Sequence, residues 1–208
     1  MISSMNQLQR QSRPVLFGLS SLILGIVGWI ASFELLTEYV KTLANPDHVP
    51  NCNISILVTC GPNMAAAQGS IFGFPNPILG VSMFMAPIIV GVALLAGARF
   101  PRWFWSLYQL GLAFGFGFIA WLSFQSIFVL GTLCPWCMVV WLVMIPLFWT
   151  TLFHPYAREE FPVSAGTRDR FQSLSSWTWV FIAVSYIIIA MAAQLRLDWW
   201  SELMRAFS

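Results

Sequence analysis

Two cysteines set three positions apart, Cys134 and Cys137, are the residues of this 208-residue chain whose spacing most directly suggests chemistry. They enclose Pro135 and Trp136, and an apolar segment from Met138 to Phe153 follows them. If that segment is a helix, positions i and i+3 share a face, so the two sulfurs can form or break a disulfide without a large backbone movement. The motif therefore predicts thiol redox chemistry inside a membrane.

The motif also predicts which thiol is reactive. Pro135 suits the first turn of a helix, and this places Cys134 near the N-cap. Unpaired backbone N–H groups and the positive end of the helix dipole at that position favour a thiolate over a thiol. Because the thiolate is the nucleophile in thiol–disulfide exchange, we expect Cys134 to have a lowered pKa and to be reactive.

The other two of the four cysteines, Cys52 and Cys60, lie in the polar and irregular segment 37–77. Such a segment cannot lie exposed in hydrocarbon, so it is a loop outside the bilayer. Thiol–disulfide exchange proceeds through a mixed disulfide, which requires one loop cysteine to reach the helix pair and another to reach a partner protein. The two pairs together predict a disulfide relay, for which a lipid quinone is the natural two-electron acceptor.

Two other interpretations of the cysteines remain open. The chain could be a non-catalytic membrane interaction protein whose disulfides only brace the outer loop. Four thiolates could also bind zinc, although the spacing of Cys52 and Cys60 is wider than in the usual zinc knuckle. Haem attachment would require a histidine after the second cysteine, where Met138 stands. We expect no metal site.

The composition indicates an all-α integral membrane protein. Hydrophobic residues make up 58% of the chain and charged residues 9%, proportions that a water-soluble domain of this size would not carry. The formal net charge is +2, and the few Lys and Arg residues form no dense stripe, so nucleic acid is not an expected partner whereas membrane lipids are.

The apolar runs predict five transmembrane helices, at about 15–36, 78–98, 103–129, 134–153 and 177–195. We interpret the chain as a single membrane domain, 1–208, with a core bundle at about 15–153, a cytoplasmic linker at 154–176 and a fifth helix at about 177–195. Gly111, Gly115, Gly117 and Ala120 are expected to let the third helix pack closely on a neighbour.

The positive charges predict the orientation of these helices. One side of the membrane receives Arg10, Arg13, Arg99, Arg102, Arg158, Arg168 and Arg170. The other side receives Lys41, Arg196 and Arg205. The first side is therefore predicted to be cytoplasmic, as is the N-terminus. All four cysteines then face the extracytoplasmic side.

Several ionisable residues near this outer surface are expected to be solvated. Glu34 and Glu38 lie one turn apart near the outer end of the first helix, where a charge is a functional candidate but a solvated helix end is the simpler interpretation. His48 follows in the polar loop and is expected to be solvated as well.

Three pieces of the sequence together resemble the bacterial homologues of vitamin K epoxide reductase. They are Cys52-x7-Cys60-Gly61, the stretch Phe-Gly-Phe-Pro-Asn-Pro at 72–77, and Cys134-Pro-Trp-Cys137, and the resemblance covers roughly residues 15–153. It implies a four-helix transmembrane bundle around a quinone of the ubiquinone or menaquinone class, plus a fifth helix. It also implies a bacterial inner (plasma) membrane protein, in the form without a fused thioredoxin-like domain, so that the redox partner is a separate DsbA-like thioredoxin-fold protein.

The resemblance implies roles for the cysteines. Cys137 would be the thiolate that engages the quinone, and Cys134 its disulfide mate. Cys60 would attack Cys134 to form an interloop disulfide, and Cys52 would exchange with the incoming partner. The implied function is reoxidation of an extracytoplasmic thioredoxin-fold protein in support of disulfide bond formation. A DsbB-type quinone reductase would perform the same overall reaction, but five spans and this loop spacing fit it less well.

The resemblance also implies a quinone pocket. Asn76 matches the asparagine that hydrogen-bonds a quinone carbonyl, while Leu79, Met83 and Trp141 fall at pocket-lining positions. Two positions depart from the family's pattern. Ala65–Ala67 stands where relatives often carry a hydroxyl residue that supports the loop, and Trp141 stands where animal members have a tyrosine.

Overall fold

The computed structural model describes residues 2–157 and 165–201, and in these residues the chain is predominantly helical. The α-helices, in chain order, are α1 Ile2–Ala44, α2 Gly61–Ala65, α3 Asn76–Met83, α4 Met85–Leu95, α5 Arg102–Phe124, α6 Pro135–Ala157, α7 Ala165–Ser176 and α8 Thr178–Leu197. A 3₁₀ turn, Ala67–Gly69, follows α2, and a π-helix, Gln125–Leu130, continues α5. Arg158 and Arg205, which entered the charge count, lie outside the described residues.

Five spans long and apolar enough to cross a membrane occur among the described residues, which confirms the predicted all-α membrane architecture. They are Val15–Ala44, Asn76–Leu95, Arg102–Leu130, Pro135–Phe153 and Thr178–Leu197. Four of them agree with the sequence prediction to within about three residues. The first span is longer at its C-terminal end, because the polar residues beyond position 36 are helical and part of that turn is buried against the loop that carries Cys52.

The bundle is built around α1 and α6. Helix α1 packs on α3 and α4 along one side and on α6 along another, α5 packs on α6, and α8 lies on the outer surface of α6. Close contact of α1 with α4 depends on glycine, since a Cβ built on Gly91 would lie 2.7 Å from the carbonyl oxygen of Gly18. Small residues at a helix interface let the two backbones approach closely, which increases the van der Waals contact between membrane helices.

Two of the three glycines of α5 do not serve the close packing that was predicted for them. A Cβ built on Gly111 or on Gly117 would meet nothing within 4 Å. At Gly115 it would meet only the flexible end of the Met144 side chain, at 2.5 Å. The expectation of tight helix packing at Gly111 and Gly117 was therefore wrong. The close glycine contacts lie instead between α1 and helices α3 and α4, as at Gly80 against Ser32 and at Gly91 against Gly18.

Two breaks in the helices shape the interior. The second span bends at Phe84, which separates α3 from α4, and Pro87 in the following turn has no N–H to continue the hydrogen-bond ladder. The third span ends in the π-helix and then in Gly131, whose φ of 70° lies in the left-handed region that glycine adopts without steric cost. The chain thereby reverses within three residues and delivers Cys134 to the start of α6.

Candidate functional site

The four cysteines meet at one end of the bundle. Cys52 and Cys60 form a disulfide, while Cys134 and Cys137 are free thiols. The Sγ atom of Cys134 lies 3.2 Å from the Sγ atom of Cys60. Cys60 and Cys134 are fully buried, and Cys52 is only 4% exposed. The loop disulfide is thus in direct contact with the first thiol of the α6 pair, although 74 positions separate Cys60 from Cys134 in the chain.

Backbone hydrogen bonds dock the loop onto the segment that precedes α6. Val58 and Leu133 form an isolated parallel β-bridge. The N–H of Thr59 donates to the carbonyl of Leu133 at 2.9 Å, and the N–H of Leu133 donates to the carbonyl of Leu57 at 2.8 Å. Because Cys60 follows Thr59 and Cys134 follows Leu133, this bridge sets the register that brings the two sulfurs together.

Asparagine side chains support the same arrangement. The Oδ1 atom of Asn53 accepts hydrogen bonds from the Thr59 hydroxyl at 2.6 Å and from the Cys60 N–H at 3.1 Å. The Nδ2 of Asn63 donates to the Thr132 hydroxyl at 2.9 Å. Sequence reasoning missed these residues, and their only signal was the concentration of polar residues between the cysteines. They supply polar support to a loop in which Ala65–Ala67 has no hydroxyl.

The position of Cys134 favours its thiolate form. Hydrogen bonding from the Cys137 side chain is the main cause that lowers the pKa of Cys134, and the backbone N–H groups of Cys137 and Trp136 act in the same direction. Burial opposes them by disfavouring charge. The N–H of Cys137 lies 3.4 Å from the Cys134 sulfur, as expected for a residue that caps the first turn of α6. Of the two free thiols, the one that contacts Cys60 is therefore the one whose thiolate form is favoured.

The observed pairing bears on the two other interpretations of the cysteines. A loop braced by static bonds would not require free, buried thiols in contact with the disulfide. Zinc bound by four thiolates is incompatible with the Cys52–Cys60 disulfide, which removes two of the ligands.

A largely apolar cavity of about 480 Å³ lies inside the bundle, beside the thiols. Asn76, Leu79, Met83 and Trp141 all line it, as does Cys137. Its volume falls in the range of small-molecule sites. The inner thiol pair thus has two neighbours, because Cys134 contacts the loop disulfide and Cys137 faces the cavity.

Helix α5 lines the cavity with a stripe that sequence reasoning did not identify. The stripe recurs every three or four positions and comprises Phe104, Tyr108, Gly111, Gly115, Phe118 and Leu122. That spacing marks one face of a helix and was the available signal. The sequence could not say whether the face packs on a helix or borders a cavity.

Asn76 is the polar group best placed to bind a ligand in this cavity. Its Nδ2 donates to the backbone carbonyl of Gln68 at 2.6 Å, while its Oδ1 is buried and has no hydrogen-bond partner. A buried polar atom without a partner is costly, so its presence on a cavity wall points to a ligand. The amide offers a second N–H to a carbonyl and an oxygen to a hydroxyl, which suits both the oxidised and the reduced form of a quinone. The residues therefore fit such a group.

Glu38 is not solvated as predicted, whereas His48 is partly exposed and bonded to it. Glu38 is fully buried, and its carboxylate accepts hydrogen bonds from Lys41 at 2.8 Å, from His48 at 2.9 Å and from the backbone N–H of Asn51 at 3.0 Å. The expectation for Glu38 was wrong because the loop folds back over the C-terminal part of α1. Three donors then replace the water that the carboxylate would otherwise bind.

The sequence profile of the vitamin K epoxide reductase family matches residues 19–152 of this chain. A search of curated proteins finds no match. The matched range begins in α1 and ends near the end of the fourth span. It therefore includes both cysteine pairs and the helices that line the cavity.

Proposed function

Since the chain belongs to the vitamin K epoxide reductase family, a family of membrane thiol–disulfide oxidoreductases that use quinone, we propose that it reoxidises an extracytoplasmic thioredoxin-fold protein. By passing two electrons from that partner to a lipid quinone, it supports disulfide bond formation in exported proteins. The observation that carries this proposal is the 3.2 Å contact between Cys60 and Cys134, with Cys137 facing the apolar cavity.

The outer half of the reaction is an exchange among sulfurs. A thiolate of the partner attacks Cys52, which forms a mixed disulfide and releases the Cys60 thiolate. Cys60 attacks Cys134 of the inner disulfide, and Cys137 leaves as a thiolate. The partner's second thiol then displaces Cys52, and Cys52 in turn attacks Cys60 to restore the loop disulfide. The partner has become a disulfide, and Cys134 and Cys137 hold the two electrons.

The inner half returns Cys134 and Cys137 to a disulfide, which releases two electrons and two protons. A quinone bound in the cavity would accept the two electrons and the two protons. The described arrangement, with the loop pair oxidised and the inner pair reduced, corresponds to the point between the two halves. The apolar wall around Cys137 excludes water, and the amide of Asn76 offers the hydrogen bonds that orient a carbonyl.

The proposal includes a single membrane domain in the bacterial inner membrane, with the N-terminus in the cytoplasm and the cysteines outside. The distribution of positive charge supports it. Arg99 and Arg102 flank the turn between α4 and α5, whereas Lys41 lies at the end of the bundle that carries the cysteines.

The direct test combines purified protein, a reduced thioredoxin-fold protein and a ubiquinone or menaquinone analogue in detergent. We expect quinone absorbance to fall as the partner is oxidised, with one quinone consumed per partner disulfide, because two thiols release two electrons. The protein without partner is the control for background loss of quinone. Failure to consume either quinone in the presence of the reduced partner would contradict the proposed function.

Asn76→Ala is expected to raise the KM for quinone about fivefold, the effect of losing one hydrogen bond in a buried site. The KM for the partner should stay unchanged, because the partner exchanges at Cys52. Ser82→Ala is a matched control, since Ser82 lies on the same helix, is exposed and bonds only its own helix backbone. Equal quinone KM values for Asn76→Ala and the wild type would remove Asn76 from the quinone site.

A further inference from the structure

The buried carboxylate of Glu38 is bonded to the loop segment that leads into Cys52, and the reaction described above gives it no role. One oxygen accepts from Lys41, on the same helix, at 2.8 Å. The other accepts from the His48 ring at 2.9 Å and from the backbone N–H of Asn51 at 3.0 Å. Helix α1 therefore holds both ends of the segment 48–51.

This attachment fixes the backbone next to a reacting sulfur. Asn51 directly precedes Cys52, so a bond to the Asn51 N–H restrains the position of Cys52. The disulfide itself is shielded, since Cys52 is 4% exposed and Cys60 is fully buried. A reductant therefore reaches it only when the loop that carries these cysteines opens, and the rate of reduction follows the population of the open form.

The carboxylate is well suited to this attachment because all of its bonds are charge-assisted. An isolated buried carboxylate would be strongly destabilising, but the Lys41 ammonium group and two further donors offset that cost. Removing the carboxylate leaves the Asn51 N–H and the His48 ring without their acceptor. The closed position of the segment then loses stability relative to open positions in which water satisfies those groups.

We propose that Glu38 is the positioning residue of the thiol relay. Its carboxylate holds segment 48–51 against α1, which shields the Cys52–Cys60 disulfide and keeps Cys60 in contact with Cys134. The shielding can be measured without quinone or partner, whereas the effect on electron transfer rests on the proposed function. The two parts therefore have separate experiments.

The first experiment isolates the loop disulfide in the background Cys134→Ser, Cys137→Ser. Dithiothreitol reduces Cys52–Cys60, and the released thiols are alkylated and counted by mass spectrometry over time. We expect Glu38→Ala to accelerate reduction about tenfold, because a charge-assisted bond that closes the segment is lost. Glu38→Gln keeps an oxygen for the Asn51 N–H and should restore a rate near that of the unsubstituted background.

Glu34→Ala is the matched control, because Glu34 lies one turn earlier on α1 and makes none of the loop bonds described above. Its reduction rate should equal that of the background protein. Equal rates for Glu38→Ala and the background would overturn the proposal. An equal acceleration in Glu34→Ala would also overturn it, because it would reflect general loosening of α1.

His48→Ala serves as a second variant if Glu38→Ala does not fold. It removes one bond between the loop and Glu38 at a partly exposed side chain, and it should accelerate reduction of the disulfide about threefold. An unchanged rate of reduction in His48→Ala would overturn the proposal.

The second experiment uses the protein with all four cysteines, a reduced thioredoxin-fold partner and a quinone. Glu38→Ala is expected to lower kcat about tenfold, because Cys60 spends less time against Cys134, and Glu38→Gln should recover most of the loss. If the wild type consumes no quinone, the proposed function fails while the alkylation experiment still decides the role of Glu38. A Glu38→Ala protein with accelerated loop reduction and unchanged kcat would overturn its role in the relay.

Discussion

Replacing Cys60 with alanine is expected to abolish oxidation of a thiol partner, with the rate falling about a thousandfold or more, as when one member of a catalytic unit is removed. Cys60 is bonded to Cys52 and lies 3.2 Å from the sulfur of Cys134, so it joins the outer pair to the inner pair. Without it, electrons that arrive at Cys52 have no route to α6. The measurement is loss of quinone absorbance with a reduced thioredoxin-fold partner.

A small dithiol distinguishes a broken relay from a damaged protein. Because Cys137 is only partly buried and borders the cavity, dithiothreitol is expected to reduce the inner pair directly at that sulfur. Cys60→Ala should then keep dithiothreitol-driven quinone reduction while it loses the partner-driven reaction. Cys134→Ala should lose both, because the inner disulfide can no longer form. Full partner-driven activity in the double variant Cys52→Ala, Cys60→Ala would disprove the relay.

Filling the cavity from α5 is the second substitution with a large expected effect. Gly111 lines the cavity, and a Cβ at this position would meet nothing within 4 Å. A phenyl ring introduced by Gly111→Phe can therefore be accommodated by the fold but occupies space that the quinone needs. We expect quinone reduction to fall between about tenfold and a hundredfold, the effect of forcing a ligand into an overfilled site. Steady-state kinetics with dithiothreitol as the electron donor measures the rate of quinone reduction without requiring electron transfer through Cys52 and Cys60.

Gly117→Phe provides the matched control on the same helix. A Cβ on Gly117 also meets nothing within 4 Å, but this glycine is exposed and does not line the cavity. The added ring should lie in lipid and leave quinone kinetics unchanged. If both variants lost activity equally, the effect would come from α5 as a helix, and the cavity would not be the quinone site.

The class of the protein and its spans followed from the sequence because they depend on local properties. Hydrophobicity over about 20 residues decides whether a segment crosses a bilayer, and this property needs no knowledge of its neighbours. The same holds for Cys134, whose place at the head of an apolar run predicted a reactive thiol at a helix start. Its pKa is indeed lowered, although hydrogen bonding from Cys137 is a larger cause than the backbone N–H groups.

The errors concern residues whose surroundings come from distant parts of the chain. Gly111 and Gly115 have the small-residue spacing of a packed helix face, yet at Gly111 helix α5 borders a cavity. Gly117 is exposed. The sequence predicts that Glu38 is solvated at the end of a helix, yet the loop covers this residue and donates two of its hydrogen bonds. Periodicity identifies a face of a helix, but it does not identify what that face contacts.

The sequence by itself determined an all-α membrane protein with five spans, two cysteine pairs and a recognisable family pattern. Only the tertiary structure decided that Cys60 contacts Cys134, that Cys137 borders the cavity and that Glu38 holds the loop. The physical reason is that hydropathy and helix caps act over neighbouring residues, whereas the sulfur contact spans 74 positions. It exists because the bridge of Val58 with Leu133 and the reversal at Gly131 bring the two segments together.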